Sequence, residues 1–190
     1  MSHDVTVVPL TSSLANLLKA KAAIALNGDG SCSLKTMSWS CFASEACARN
    51  QFSSIKLDML LQSRYSFVAV TNSNEFVGCV SAESGDSDKT LAHFFPHVNL
   101  PSTARILYNL CVSHEFRGCG AGRRLVEAVV NTANSPNDTY LLVSRLNPDE
   151  TNPEKARVYA NRIDRLLATY NKLDFDVTCD CPECYLLRHR

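Results

Sequence analysis

The apolar positions of this chain change period several times, and each change marks an element. Val5–Leu10 reads as a first strand, with Pro9 near its end. Thr11-Ser12-Ser13 then offers side-chain oxygens for a helix N-terminus, and Leu14, Leu17, Leu18, Ile24 and Ala25 follow at helical spacing. Asn27-Gly28-Asp29-Gly30 stops that helix. The next stretch, which holds the only Trp, Trp39, has no clear period, and a second helix is predicted over about 45–61. Tyr65–Thr71 and Phe76–Glu83 are two short strands, with Thr71-Asn72-Ser73-Asn74 as the hairpin turn between them. Residues 85–104 read as a long connection carrying His93 and His97, and a loop of that length in a compact domain usually serves function or motion.

Arg105–Val112 is apolar on both faces, which predicts a central strand. It runs into Arg117-Gly118-Cys119-Gly120-Ala121-Gly122, followed by a helix with Leu125, Val126, Val129 and Val130 on one face. Tyr140–Val143 is another buried strand. A helix is predicted over about 154–172, with the stripe Tyr159, Ile163, Leu166, Leu167 and Tyr170. Two short strands, Phe175–Thr178 and Tyr185–Leu187, close the chain. This order predicts one α/β or α+β domain over residues 1–190, built on a single mixed sheet.

Composition narrows the picture. With 45% apolar and 20% charged residues in 190, the chain can build a core and is not a disordered segment. Its formal net charge of zero excludes the strongly basic surface that non-specific nucleic-acid binding needs, so no nucleic-acid partner is expected. No apolar run approaches the roughly 18 residues of a membrane span. The first residues, Met1-Ser2-His3-Asp4-Val5, lack the basic and apolar regions of a signal peptide, and Ser2 stands where myristoylation needs a glycine. A cytoplasmic location is therefore expected. Nine cysteines, an odd count in a chain of this size, are expected to be mostly reduced and buried.

The glycine turn is the most informative segment. Glycines at 118, 120 and 122 let consecutive backbone N–H groups converge, because no Cβ obstructs them. The leading N–H groups and positive dipole end of the following helix add to that concavity, and Arg117, Arg123 and Arg124 bring charge. This is a site for phosphate or pyrophosphate. It lacks the Gly-Lys-Ser/Thr ending of nucleotide triphosphatases, and its G-x-G-x-G spacing is not the dinucleotide fingerprint.

The run Leu110-Cys111-Val112-Ser113-His114-Glu115-Phe116-Arg117-Gly118-Cys119-Gly120-Ala121-Gly122-Arg123-Arg124-Leu125 resembles the acetyl-CoA motif of the GNAT superfamily of N-acetyltransferases, Arg/Gln-x-x-Gly-x-Gly/Ala. Arg117, Gly120 and Gly122 fill its defining positions, and the order of elements along nearly the whole chain is also the family's. The resemblance implies a mostly antiparallel mixed sheet of about six to seven strands, flanked by about four helices, with splayed central parallel strands. It implies acetyl-CoA as co-substrate. Pantetheine would pair with the backbone of Leu110 and Val112 around Cys111, and pyrophosphate would lie on the N–H groups from Arg117 to Arg123, where Cys119 and Ala121 act as small fillers. Asn152 is carried over as a further cofactor contact.

Acetyl transfer to an amine needs a base for the ammonium and an acid for the leaving thiolate. In the family a Tyr on the helix after the fifth strand supplies the acid. Tyr170-Asn171-Lys172-Leu173-Asp174-Phe175 matches one half of that pattern, with Asp174 where the family has Gly, and Asn152 to Tyr159 matches the other. The two tyrosines are three helical turns, about 16 Å, apart, so only one can serve. Tyr170 is preferred and Tyr159 is the alternative. Where family members often place a carboxylate on the strand before the turn, this chain has Tyr108 and Asn109. Glu83 is the carboxylate named for the base, with His93 and His97 as further candidates.

Cys179, Cys181 and Cys184 form C-x-C-x-x-C in the last hairpin, with His189 nearby. This is a weak zinc candidate without a second pair, and a tight turn with incidental cysteines is the reading adopted, with no metal. The expected acceptor is a small-molecule, protein or peptide amine, and the expected state a monomer or homodimer. A catalytically inactive CoA-binding sensor of the same fold is the alternative.

Overall fold

The structure is a computed structural model, described over residues 4–25, 39–40, 57–113, 116–144 and 163–190. Its elements are β1 (Val5–Pro9), α1 (Ser12–Ala25), β2 (Trp39–Ser40), α2 (Leu57–Gln62), β3 (Tyr65–Thr71), β4 (Phe76–Ser84), α3 (Lys89–Phe94), β5 (Arg105–Ser113), α4 (Ala121–Val130) and β6 (Thr139–Ser144). Helix α5, with residues 163–171 described, then precedes β7 (Phe175–Asp180) and β8 (Cys184–His189). The strands form a mixed sheet in the hydrogen-bonded order β1-β3-β4-β5-β6-β8-β7, with β2 on β5 off that path. The chain divides into two compact units, Met1–Ser81 with Asn109–Val129 and Ala82–Tyr108 with Val130–Arg190.

In the first unit, Thr11 caps α1 as its position suggests, its hydroxyl accepting from the Leu14 N–H at 3.2 Å. The helix turns Ala15 and Leu18 into a core with Leu60, Val68, Val70, Phe76, Cys79 and Cys111. Leu17, expected on the apolar stripe, is 41% exposed. One residue is 100° of helix rotation, so a stripe centred on Ala15 and Leu18 leaves Leu17 outside. Strand β1 pairs antiparallel with β3, from Val5↔Thr71 to Pro9↔Phe67. It heads the strand order, where the missing Pro9 N–H costs no ladder bond on its outer side.

The second unit corrects the expectation of a long bare connection over 85–104. Those residues hold a 3-10 turn, Gly85–Ser87, and helix α3. Asp88 caps α3, its Oδ1 accepting from the Leu91 N–H at 2.7 Å. The Asp-x-x-Leu start was legible but short. Leu91, Phe95, Leu100 and Ala104 bury this segment against Ile106, Tyr140, Cys184 and Leu186. Arg105 fastens it. Its buried guanidinium donates to the carbonyls of Ser102, Thr103, Ala104 and Thr132 and to the Thr132 hydroxyl, at 2.8–3.1 Å. A buried cation is tolerated here because its N–H groups meet a cluster of oxygen acceptors. Strands β5 and β6 are parallel and pair only over Arg105–Leu107 with Thr139–Leu141. Strand β8 pairs antiparallel with β6 and with β7. Among the described residues, Thr139 is fully buried and its hydroxyl has no hydrogen-bond partner.

Candidate functional site

The end of β5 and the turn behind it belong to the first unit. Leu110, Cys111 and Val112 are buried on β5, and Gly78 on β4 lets that strand come close. A Cβ at Gly78 would lie 2.5 Å from the Cys111 carbonyl oxygen and 3.2 Å from both Leu125 Cδ1 and Val112 Cα, so only hydrogen fits. The sequence reading missed this glycine, because its neighbours belong to other elements. It also assigned no element at Trp39, where β2 pairs Trp39 with Ser113 and Ser40 with Val112.

Past β5, Phe116 is buried and the chain turns through Gly118 at φ +79° and Gly120 at φ +82°. Both lie in the left-handed region that favours glycine. A Cβ at either would meet nothing within 4 Å, so the backbone here faces open space. The Gly120 carbonyl accepts from the Arg124 N–H at 3.1 Å, which starts the ladder of α4. The leading N–H groups of a helix lie outside that ladder, and here they are carried by Gly120, Ala121, Gly122 and Arg123. Ala121, Gly122, Leu125, Val126, Val129 and Val130 are buried, so one face of α4 is anchored while the turn is presented. Partial positive charge and converging donors suit an anion.

Arg117, Arg123 and Arg124 are all exposed, and Arg124 donates to the Val5 carbonyl at 2.5 Å and so ties α4 to β1. Cys119 is half-buried and its thiol donates to the Phe116 carbonyl at 2.7 Å, in keeping with a filler. In the core of this unit, Cys79 and Cys111 bring their sulfurs to 3.2 Å, both buried. Burial, and then the neighbouring Cys79, push the Cys111 thiol well above its ordinary range.

The second unit holds the acid–base candidates. Tyr108, half-buried on β5, donates its hydroxyl to Asp88 Oδ2. Its ionisation is pushed far up, first by burial, then by the Asp88 hydrogen bond and charge; Thr90 opposes, and the Glu83 charge adds to the rise. Tyr108 is therefore a neutral hydroxyl at any physiological pH. The structure thus brings Asp88, a residue without a role in the sequence analysis, onto Tyr108, with the Glu83 charge near enough to act on that hydroxyl. His93 and His97 are exposed and lie edge-on to Phe94 and Phe95.

Tyr170 is half-buried near the end of α5, with its ring edge-on to Phe175 at 6.3 Å. The helix closes through the Leu173 N–H on the Tyr170 carbonyl and the Asp174 N–H on the Asn171 carbonyl, at 2.9 and 3.0 Å. Asp174 sits at φ +67°. That explains its place where the resemblance has glycine: the exit needs a left-handed residue, and Asp is among the few others that adopt it. Tyr159 and Asn152 lie outside the described residues.

In the last hairpin, the Cys181 and Cys184 sulfurs are 3.6 Å apart, and Cys179 lies half-buried two residues earlier. His189 stacks edge-on to Phe175, with Nδ1 2.9 Å from the Arg190 carbonyl. Among the described residues no three His, Cys, Asp or Glu are placed to hold a metal ion. No described helix is long and apolar enough to cross a membrane.

Residues 62–162, just over half of the chain, match the family described as an acetyltransferase (GNAT) domain. The fold is similar to that of a GNAT-family acetyltransferase from Listeria monocytogenes, with a TM-score of 0.53 at 14% identity over 97% of this chain and 93% of that one. An aminoglycoside 6'-N-acetyltransferase complexed with coenzyme A gives 0.51 at 12% identity, over 96% and 95%. A GNAT family N-acetyltransferase from Escherichia coli in complex with CoA gives 0.50 at 15% identity, over 99% and 83%. At these identities the likeness is one of fold. No match was found among curated protein sequences.

Proposed function

The chain belongs to the GNAT acetyltransferase family, and from that premise we propose that residues 1–190 form one such domain, transferring an acetyl group from acetyl-CoA to a primary amine. The observation that carries this reading is the pair of left-handed glycines, Gly118 and Gly120, with open space at both Cβ positions and a buried-faced helix beginning at Ala121. The backbone from Arg117 to Arg123 binds the pyrophosphate of the co-substrate, with the exposed guanidinium groups of Arg117 and Arg123 adding charge. Leu110, Cys111 and Val112 supply the strand along which the pantetheine arm runs. Cys119 and Ala121 are small because the recognising atoms are main-chain.

The acceptor amine must be neutral to attack the thioester carbon, and Glu83 takes its proton. Asp88 is less suited, since its Oδ1 caps α3 and its Oδ2 holds the Tyr108 hydroxyl. As the C–S bond breaks, the sulfur gains negative charge, and the Tyr170 hydroxyl gives it a proton. Product release then yields CoA thiol and an N-acetylated amine. No covalent enzyme intermediate is involved, which leaves Cys119 without a chemical task.

The test is release of free CoA thiol from acetyl-CoA across polyamines, arylalkylamines, aminosugars, lysine peptides and peptide N-termini. Turnover on at least one class, with mass spectrometry placing the acetyl group on nitrogen, is the expected result. Binding of acetyl-CoA with no turnover on any class would overturn the enzyme reading in favour of a CoA-binding sensor.

A further inference from the structure

Residues Cys181-Pro182-Glu183-Cys184 form the corner between β7 and β8. The ladder below it pairs Asp180 with Tyr185 and Cys179 with Leu186. Continuing that register sets Cys181 opposite Cys184, and the Cys181 N–H donates to the Cys184 carbonyl at 2.9 Å. Pro182 fixes φ at the first corner position, so the two cysteines are held facing one another by the turn itself. Their sulfurs are 3.6 Å apart. The Cys184 N–H also donates to the Cys181 sulfur at 3.3 Å.

The two thiols differ in access. Cys181 is half-buried at the corner, while Cys184 is 3% exposed and packs with Leu186, Tyr140 and Ile106. Cys181, which packs against the edge of the same core, is thus the more accessible of the two residues, and Cys184 is the shielded one. The first unit provides the contrasting case. Cys79 and Cys111 are closer, at 3.2 Å, yet both are about 1% exposed, and burial disfavours the Cys111 thiolate. Short distance is common to both pairs; only the hairpin pair adds a partly exposed cysteine, with an N–H donor on its sulfur.

We propose that Cys181 and Cys184 are a redox site: a dithiol that is oxidised reversibly to an intramolecular disulfide by small disulfides. The Cys181 thiolate attacks one sulfur of the disulfide, the S–S bond breaks, and the first thiolate leaves and takes up the Cys181 proton. Cys184 then gives up its proton and attacks the Cys181 sulfur of the mixed disulfide, expelling the second small thiol. Two protein thiols are oxidised and one small disulfide is reduced to two thiols, so atoms and electrons balance. Because the turn already sets the residues opposite each other, closure needs sulfur movement and little change of fold. The inference is independent of acetyl transfer.

The experiment equilibrates the full chain in buffers of hydroxyethyl disulfide and mercaptoethanol at graded ratios, with acid quenching and peptide mapping of every cysteine. The expected result is a Cys181–Cys184 disulfide with a measurable midpoint, reversed by reductant, while Cys79 and Cys111 stay reduced and the circular dichroism is unchanged. In Cys184→Ser, Cys181 should accumulate the mixed disulfide. In Cys181→Ser, adduct formation at Cys184 should be at least about tenfold slower, because it is shielded. Three results would overturn the proposal: Cys181 and Cys184 both remaining thiols at the most oxidising ratio, equal adduct rates in the two variants, or stoichiometric zinc on the hairpin that blocks oxidation until it is chelated.

Discussion

The turn after β5 follows a buried strand, whereas the hairpin between β7 and β8 joins a largely exposed strand to a more buried one, and the chemistry proposed for the two lies in different parts of the residue. At the first, the recognition proposed above rests on main-chain atoms. Gly118 and Gly120 matter for the side chains they lack, and Cys119 between them has only a local hydrogen bond. At the second, the main chain forms an ordinary tight corner, and the chemistry is in two sulfurs that the register brings face to face. The roles proposed for Tyr170 and Glu83 in the second unit would likewise rest on side-chain hydroxyl and carboxylate atoms, and the Tyr108 hydroxyl there donates to Asp88. A site built from backbone should tolerate side-chain exchange but not loss of glycine; a site built from side chains should behave the other way.

The largest effect that sharpens this contrast is expected at Tyr170. Replacement by Phe keeps the ring packed on Phe175 and removes only the hydroxyl. Steady-state kinetics should show kcat lowered by roughly ten- to a thousand-fold with acetyl-CoA affinity nearly unchanged, as for loss of a general acid. An unaffected Tyr170→Phe enzyme would move the assignment to Tyr159.

Next comes Gly78, the glycine at which β4 closely approaches Cys111 and Val112 of β5. Gly78→Ala puts a methyl group 2.5 Å from a carbonyl oxygen that belongs to a strand, not to a flexible side-chain end. Denaturant titration should show a loss of about 1–3 kcal/mol, the usual cost of overpacking. A gain would mean that β4 and β5 can part at that point without cost.

Thr139 tests whether every side chain in the second unit is essential. Its hydroxyl is fully buried with no partner, so Thr139→Val removes an uncompensated polar group at nearly constant shape. Thermal unfolding should show stabilisation of about 1 kcal/mol. The smallest effect is expected at Cys119. Cys119→Ala removes one thiol hydrogen bond at a half-buried position, and both kcat and acetyl-CoA affinity should stay within about twofold of the parent, which is under 0.5 kcal/mol. A large loss would break the contrast, because a side chain would then be working inside the backbone site.

The same division explains what could be read before any coordinates. The glycine turn was legible because a left-handed backbone restricts the residue type directly, so Gly118 and Gly120 announce themselves in the string. The strand–turn–helix frame around it followed from period alone, and β3, β4, β5 and β8 lie close to where the apolar runs put them. Asp174 was visible as an oddity, and its φ of +67° supplies the reason. Gly78 was not legible, since a close approach depends on what lies opposite, and nothing near it in sequence names Cys111 or Leu125. Helix α3 is hidden in the sequence because two turns give too few residues to establish a period, so residues 85–104 read as one long connection. The Tyr108–Asp88 bond joins residues twenty positions apart and needed the packing of α3 against β5. The cysteine pair needed the hairpin register.

The central claim is that the backbone turn after β5 binds acetyl-CoA. Titration calorimetry of acetyl-CoA into the parent chain and into Gly120→Asn tests it most directly. Asn tolerates the left-handed conformation at φ +82°, so the variant should remain folded while its side chain projects into the open space at the Cβ position. The account predicts one-to-one binding to the parent and an affinity at least about a hundredfold weaker in the variant, which corresponds to about 2.7 kcal/mol, with a circular dichroism spectrum like the parent's. No binding to the parent, or equal affinity in a folded Gly120→Asn, would contradict it.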